Sequence, residues 1–90
     1  GALTYRAMHV SSGDLVLRDR ELARVTACTQ DGSGQLGILA ELWECVAQLT
    51  PQARRWQRAD FDHQEVWPAS EIEPAVAWYQ EGDCLIVLDS

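Results

Sequence analysis

The chain has no lysine, no asparagine, no paired Cys-x-x-Cys and no apolar run long enough to matter to a membrane. Each absence excludes something. Its longest apolar stretches are short, Leu85-Ile86-Val87-Leu88 among them, far below the roughly 20 residues a membrane-spanning helix needs. Membrane insertion is therefore not expected. The three cysteines, Cys28, Cys45 and Cys84, are odd in number and widely spaced, which fits reduced thiols in an intracellular protein, cytoplasmic or nuclear, rather than a disulfide framework. The start, Gly1-Ala2-Leu3-Thr4-Tyr5-Arg6, lacks a basic flank and an apolar core, so no secretory signal is expected and Gly1-Ala2 reads as a tag scar. All seven basic residues are arginine; that bias fits a GC-rich coding sequence and carries no function by itself. No phosphate-cradling loop, nucleophile with a partnered base, internal repeat or low-complexity tract is present, so no enzyme class is indicated and no cofactor is expected.

Positive charge is missing altogether from one end. Residues 1–58 hold all seven arginines and six acids, whereas residues 59–90 hold eight acids and no arginine or lysine. An acidic surface repels phosphate, because nucleic-acid affinity rests on cationic contacts to the backbone. DNA and RNA are disfavoured as partners, and a basic peptide or protein segment is favoured. Arg54, Arg55 and Arg58 beside Trp56 imitate a nucleic-acid patch, but pairing with Asp60, Asp62 and Glu65 is the more economical use of them.

What the chain does have is tryptophan at regular intervals. Trp43, Trp56, Trp67 and Trp78 recur every eleven to thirteen residues, and the midpoints fall in segments with turn chemistry, Gln48 to Pro51, Ala59 to His63 and Ser70 to Pro74. Residues equidistant from a hairpin turn become cross-strand neighbours on one face. The spacing thus predicts an antiparallel meander with an indole ladder, serving as a core, as an interface between copies of the chain, or as a ligand platform. Trp78-Tyr79 places two aromatics on opposite faces of one strand, so at least one of them should lie outside the core.

Alternation and turn residues place the elements. Tyr5 to Val10, Leu15 to Arg18, Leu22 to Thr29, Ala53 to Arg58, Glu65 to Trp67, Ala75 to Gln80 and Cys84 to Leu88 read as strands, the last as the central one. Between them Ser11 to Asp14, Asp31 to Gly34 and Glu81 to Asp83 read as turns. Residues 36–49 are ambiguous. Leu36, Leu39, Trp43, Val46 and Leu49 fit a helical stripe, yet Gly37 and the preceding hairpin signal favour one long strand; the alternative is an α+β fold with a helix at 36–49. Gly-Asp or Asp-Gly turns near both ends predict that the termini lie close and close the sheet, which would remove free edges. Asp60, Asp62, His63 and Glu65 bring oxygen and imidazole ligands together but without the spacing of a calcium loop or a zinc site. A solvated hairpin tip is the expectation there, and no metal or catalytic residue is assigned.

Gly13-Asp14-Leu15-Val16, Ala23-Arg24-Val25, Glu65-Val66-Trp67-Pro68-Ala69-Ser70-Glu71-Ile72 and Cys84-Leu85-Ile86-Val87-Leu88 together resemble the strand order of bromo-adjacent-homology (BAH) domains, SH3-like chromatin interaction modules. The resemblance implies a single mainly β domain over residues 1–90, a small SH3-like or BAH-like barrel with one short helix at most. With the acidic composition it implies a non-catalytic interaction module. The residues expected to form its site are Trp67, Trp78 and Tyr79 as an aromatic wall and Glu71, Glu73, Glu81 and Asp83 as charges complementary to a basic segment. A homo-oligomeric scaffold with the tryptophan ladder at its core or interface is the alternative, and a small metal-dependent or His63-based enzyme is the third reading.

Overall fold

A computed structural model describes residues 10–59 and 64–88 of the chain. β-Branched residues, alternation and turns set at short intervals give an all-antiparallel arrangement of strands. These are β1 (Leu15–Arg18), β2 (Glu21–Gln30), β3 (Leu36–Thr50), β4 (Ala53–Arg58), β5 (Gln64–Pro68), β6 (Glu73–Pro74), β7 (Trp78–Glu81) and β8 (Cys84–Leu88), with one 3-10 turn at Ala69–Glu71. Hydrogen bonding runs in the order β6-β1-β2-β3-β4-β8-β7, and β5 pairs with β3. Trp43 is opposite both Leu22 of β2 and Arg58 of β4, so β2 and β4 lie on opposite edges of β3. β4 and then β5 occupy that second edge one after the other, against residues 43–50 and 37–41 of β3 respectively.

Residues 36–49 belong to one strand, not a helix. The helical-looking stripe is not the buried one. Gly37, Ile38 and Ala40 are buried, whereas Val46 and Leu49 are exposed. Both are the extra residues where the β3–β4 register shifts, and a bulged residue leaves the two-residue alternation of its strand. Two bulges therefore imitate a 3.6-residue period.

The inner strands bury both faces. Leu15 and Leu17 of β1 and Leu22 of β2 join Trp56, Leu85 and Val87 in one core, with Trp43 and Ala75 against it. Val16, Ala23 and Val25 point the other way and pack with Ile38, Ala40 and Trp67, joined by Val10, Leu42 and Ile72. Adjacent residues of one strand thus serve two cores, so β1 and β2 carry apolar side chains on both sides instead of a polar alternate.

Two expectations about topology are corrected. The hydrogen-bonded path is open, ending at β6 and β7, and among the described residues β1 does not pair with β8, so the sheet is not closed into a barrel. Nor is β8 the central strand. It lies between β4 and β7, and its Leu85 and Val87 are buried against Leu15, Leu22 and Trp56. β3, long enough to pair with three strands, is central. Of the expected first strand, residues 5–9 fall outside the described residues, and Val10 is buried without belonging to a strand.

The Asp31 turn is capped by its own side chain, whose Oδ1 accepts hydrogen bonds from Ser33 N at 2.8 Å, Ser33 Oγ at 2.6 Å and Gln35 N at 2.9 Å. The Ser33 hydroxyl, followed by the Gln35 and Ser33 amides, holds the Asp31 carboxyl below the usual carboxylate range. The cap is fully formed above the ordinary carboxylate pKa and is lost in acid as pH falls through this lowered value.

Gly37 seats β5. It faces Thr29 on β2 and Pro68 on β5, and a Cβ there would stand 2.9 Å from the Trp67 carbonyl oxygen and 3.2 Å from Thr29 Oγ1. A backbone oxygen cannot turn away as a side chain can. Gly37→Ala is expected to destabilise the fold by about 1–3 kcal/mol, the usual cost of overpacking, read as a lowered urea midpoint. An unchanged midpoint would mean that β5 shifts off β3 at no cost.

Candidate interaction surface

β7 and the turn that follows it gather most of the expected site. Glu81 is opposite Cys84 across the two-residue Gly82-Asp83 loop. Gly82 has φ 61° and Asp83 does not share a positive φ, the pattern of a type II′ hairpin, for which glycine at the first central position is suited. That turn fixes the register Trp78–Val87, Tyr79–Ile86 and Gln80–Leu85. Trp78 therefore shares the face of the core residues Val87 and Leu85, while Tyr79 and Glu81 share the outer face with Ile86 and, one strand further, Arg55. All four residues of β7 are exposed, Trp78 by 43% and Tyr79 by 52%, and Val76 just before them by 79%.

The charged residues divide into two groups. Glu81 Oε1 accepts a hydrogen bond from Arg55 Nη2 at 3.0 Å. Asp83 stands in the turn, exposed. Glu71, in the 3-10 turn, and Glu73, in β6 against Leu17 of β1, are exposed at the other end of the strand path. Among the described residues Glu71, Glu73 and Asp83 have no ion pair.

Trp67 is not part of an exposed wall. It is 0% exposed, pairs across β3 with Ile38 and donates its indole Nε1–H to Glu65 Oε1 at 3.3 Å. The Arg18 guanidinium lies 4.3 Å from its ring centroid and reaches Glu21 at 2.9 Å and Glu65 at 3.7 Å. A burial this complete leaves no ring face for a ligand.

The four-rung ladder does not form. The β3–β4 reversal is centred on Pro51-Gln52, and with the two bulges Trp43 comes opposite Arg58 and Trp56 opposite Cys45. Both indoles enter the same core, Trp67 enters the other, and Trp78 lies on the edge strand. The indoles are thus divided between two cores and an edge strand rather than stacked in one row.

Of the arginine-rich strand, Arg54 Nε donates to Gln48 Oε1 at 3.0 Å and Arg55 engages Glu81. Glu65, expected to pair with these arginines, is met by Arg18, and Asp60 and Asp62 lie outside the described residues. So does His63, and among the described residues no group of three His, Cys, Asp or Glu side chains is placed to hold a metal. A cleft of about 260 Å³ between β2, β3 and β4 is lined by Arg20, Glu21, Trp43, Glu44 and Trp56 among others. Its carboxylates are engaged, Glu21 by Arg18 and Glu44 by Gln57 at 2.8 Å. Among the described residues the Trp43 and Trp56 indole N–H groups have no protein acceptor.

Arg55, expected to pair with Asp60, Asp62 and Glu65, is paired with Glu81. It is 26 positions from Glu81 in sequence, and the strand order β4-β8-β7 places both on the outer face with Ile86 between them. No helix among the described residues is long and apolar enough to cross a membrane. No protein-family model, curated protein or solved structure matches the chain.

Proposed function

We propose that the chain is a non-catalytic interaction module that holds a basic peptide or protein segment against β7 and the β7–β8 turn. The observation that carries this is the exposure of Trp78 and Tyr79 within a stretch, residues 64–88, whose every charged side chain is acidic. Those acids are Glu65, Glu71, Glu73, Glu81 and Asp83. An exposed aromatic ring attracts a cationic head group by about 0.5–1 kcal/mol, and neighbouring carboxylates raise the local concentration of a basic partner. The aromatic contact selects and the acids steer. The likeness to BAH domains supports the same direction. It makes this an intracellular SH3-like module and puts the basic segments of chromatin proteins among its partners. The arc β6-β1-β2-β3-β5, whose ends are joined through the 3-10 turn around the Trp67 core, supports an SH3-like assignment without hydrogen-bonded closure.

An NMR titration that follows the indole N–H signals tests it, with arginine- and lysine-rich peptides, methylated and unmodified. Saturable shifts are expected at Trp78, with the Trp67 signal unmoved. Absence of a saturable shift at Trp78 across the panel would overturn the proposal.

A further inference from the structure

We infer that the basic segment binds as an added strand along the free edge of β7, main chain to main chain; this rests on the interaction-module proposal and specifies its mode. In an antiparallel pair, residues alternate between those that exchange both backbone hydrogen bonds with the partner and those whose N–H and C=O point away from it. The two-residue Gly82-Asp83 loop makes Glu81–Cys84 a bonded pair. Tyr79–Ile86 is then the next bonded pair, and the Leu88 N–H bond to the Ala77 carbonyl, 2.8 Å, continues the series on schedule. Trp78 and Gln80 fall between. Their N–H and C=O groups face away from β8, and among the described residues no strand pairs with that edge.

Edges of this kind are ordinarily protected by lysine, proline, bulges or brevity, because unpaired backbone groups recruit other chains. β7 is short, at four residues, but it carries no basic residue, no proline and no register shift against β8. Its one charge is Glu81. Two alternate residues of an incoming strand can therefore exchange four hydrogen bonds with Trp78 and Gln80, the arrangement by which extended peptides extend a sheet.

Side-chain chemistry identifies the occupant. Every second side chain of an added strand falls beside Tyr79 and Glu81, where a ring and a carboxylate suit arginine or lysine; the intervening ones fall beside Trp78, where an apolar side chain fits. The partner is a segment alternating basic and apolar residues. A second copy pairing through its own β7 would instead bring together two stretches in which every charge is negative, and like charges across an interface oppose association.

The test uses the full chain, an eight-residue peptide alternating arginine and valine, and the same peptide N-methylated on every second amide in either of the two registers. Hydrogen exchange at the Trp78 and Gln80 amides is expected to slow at least tenfold on binding, with Tyr79 and Glu81 little changed because β8 already holds them. One N-methylated register is expected to lose at least tenfold in affinity. If Trp78 shifts and the peptide saturates, but neither amide is protected and both methylated peptides bind equally, strand addition is overturned while the interaction module stands. If Trp78 and Gln80 are protected without peptide and the chain sediments as a dimer, the occupant is a second copy. If no peptide binds, both proposals are overturned.

Discussion

Trp67→Ala lowers the melting temperature of the chain far more than Trp78→Ala does. Trp67 has no exposed surface, sits opposite Ile38 and is surrounded by β1, β2 and β3 side chains. Cutting such a side chain to alanine costs about 3–5 kcal/mol, a large share of the 5–15 kcal/mol that holds a typical domain together. It also leaves the Arg18 guanidinium without the ring beneath it and Glu65 without the indole donor. For a domain of this size each kcal/mol moves the melting temperature by roughly 4–8 °C, so a fall of about 12 °C or more is expected, followed by far-UV circular dichroism. Trp78, 43% exposed on the edge strand, loses far less packing and is expected to cost about 1 kcal/mol or less. Equal melting of the two variants would mean that the Trp67 core contributes no more than the edge.

That contrast also shows where sequence patterns stop. Four indoles at even spacing look equivalent, and the strands that carry two of them, Ala53 to Arg58 and Glu65 to Trp67, are legible from alternation and bounding turns. The segment through Trp43 has a helical stripe and is favoured as a strand by Gly37 and the hairpin signal before it. The partners of these strands are not legible. Cross-strand pairing inferred from midpoints assumes that every residue counts, and Val46 and Leu49 do not, because each is an extra residue at a register shift. It also assumes that successive strands form hairpins, whereas β4 and β5 follow each other along one edge of β3 and deliver Trp56 and Trp67 to different cores. Position within a single strand was legible in a way that partnership was not: Trp78 and Tyr79 do fall on opposite faces, and both are exposed. Ala75 and Ala77 show the local limit. They alternate like strand residues, but Pro74 ends the β6 pairing and regular pairing with β8 begins only at Trp78.

The acids of the proposed surface are not equivalent either, and their difference gives an expected result of opposite signs. Arg55 already holds Glu81 at 3.0 Å, while Glu71, Glu73 and Asp83 have no ion pair among the described residues. Neutralising the latter three, as Glu71→Gln, Glu73→Gln and Asp83→Asn together, removes attraction for a basic segment without exposing a new charge. At about 0.5 kcal/mol for each exposed charge pair, peptide binding at low salt is expected to weaken roughly tenfold. Arg55→Gln acts the other way: it releases Glu81 to the partner and removes the cation beside it, so binding is expected to tighten by about twofold to fivefold, on the same energy scale. Glutamine keeps part of the arginine stem beside Ile86, its cross-strand neighbour. Both effects should shrink together as salt is raised, because the screening length falls from about 10 Å at 0.1 M to about 3 Å at 1 M. Isothermal titration of the two variants against one basic peptide at both salt concentrations reads all of this. A triple variant that binds as the parent does would remove the electrostatic basis of the interaction. An Arg55→Gln variant that binds more weakly would make Arg55 a residue that positions Glu81 for the partner rather than one that competes with it.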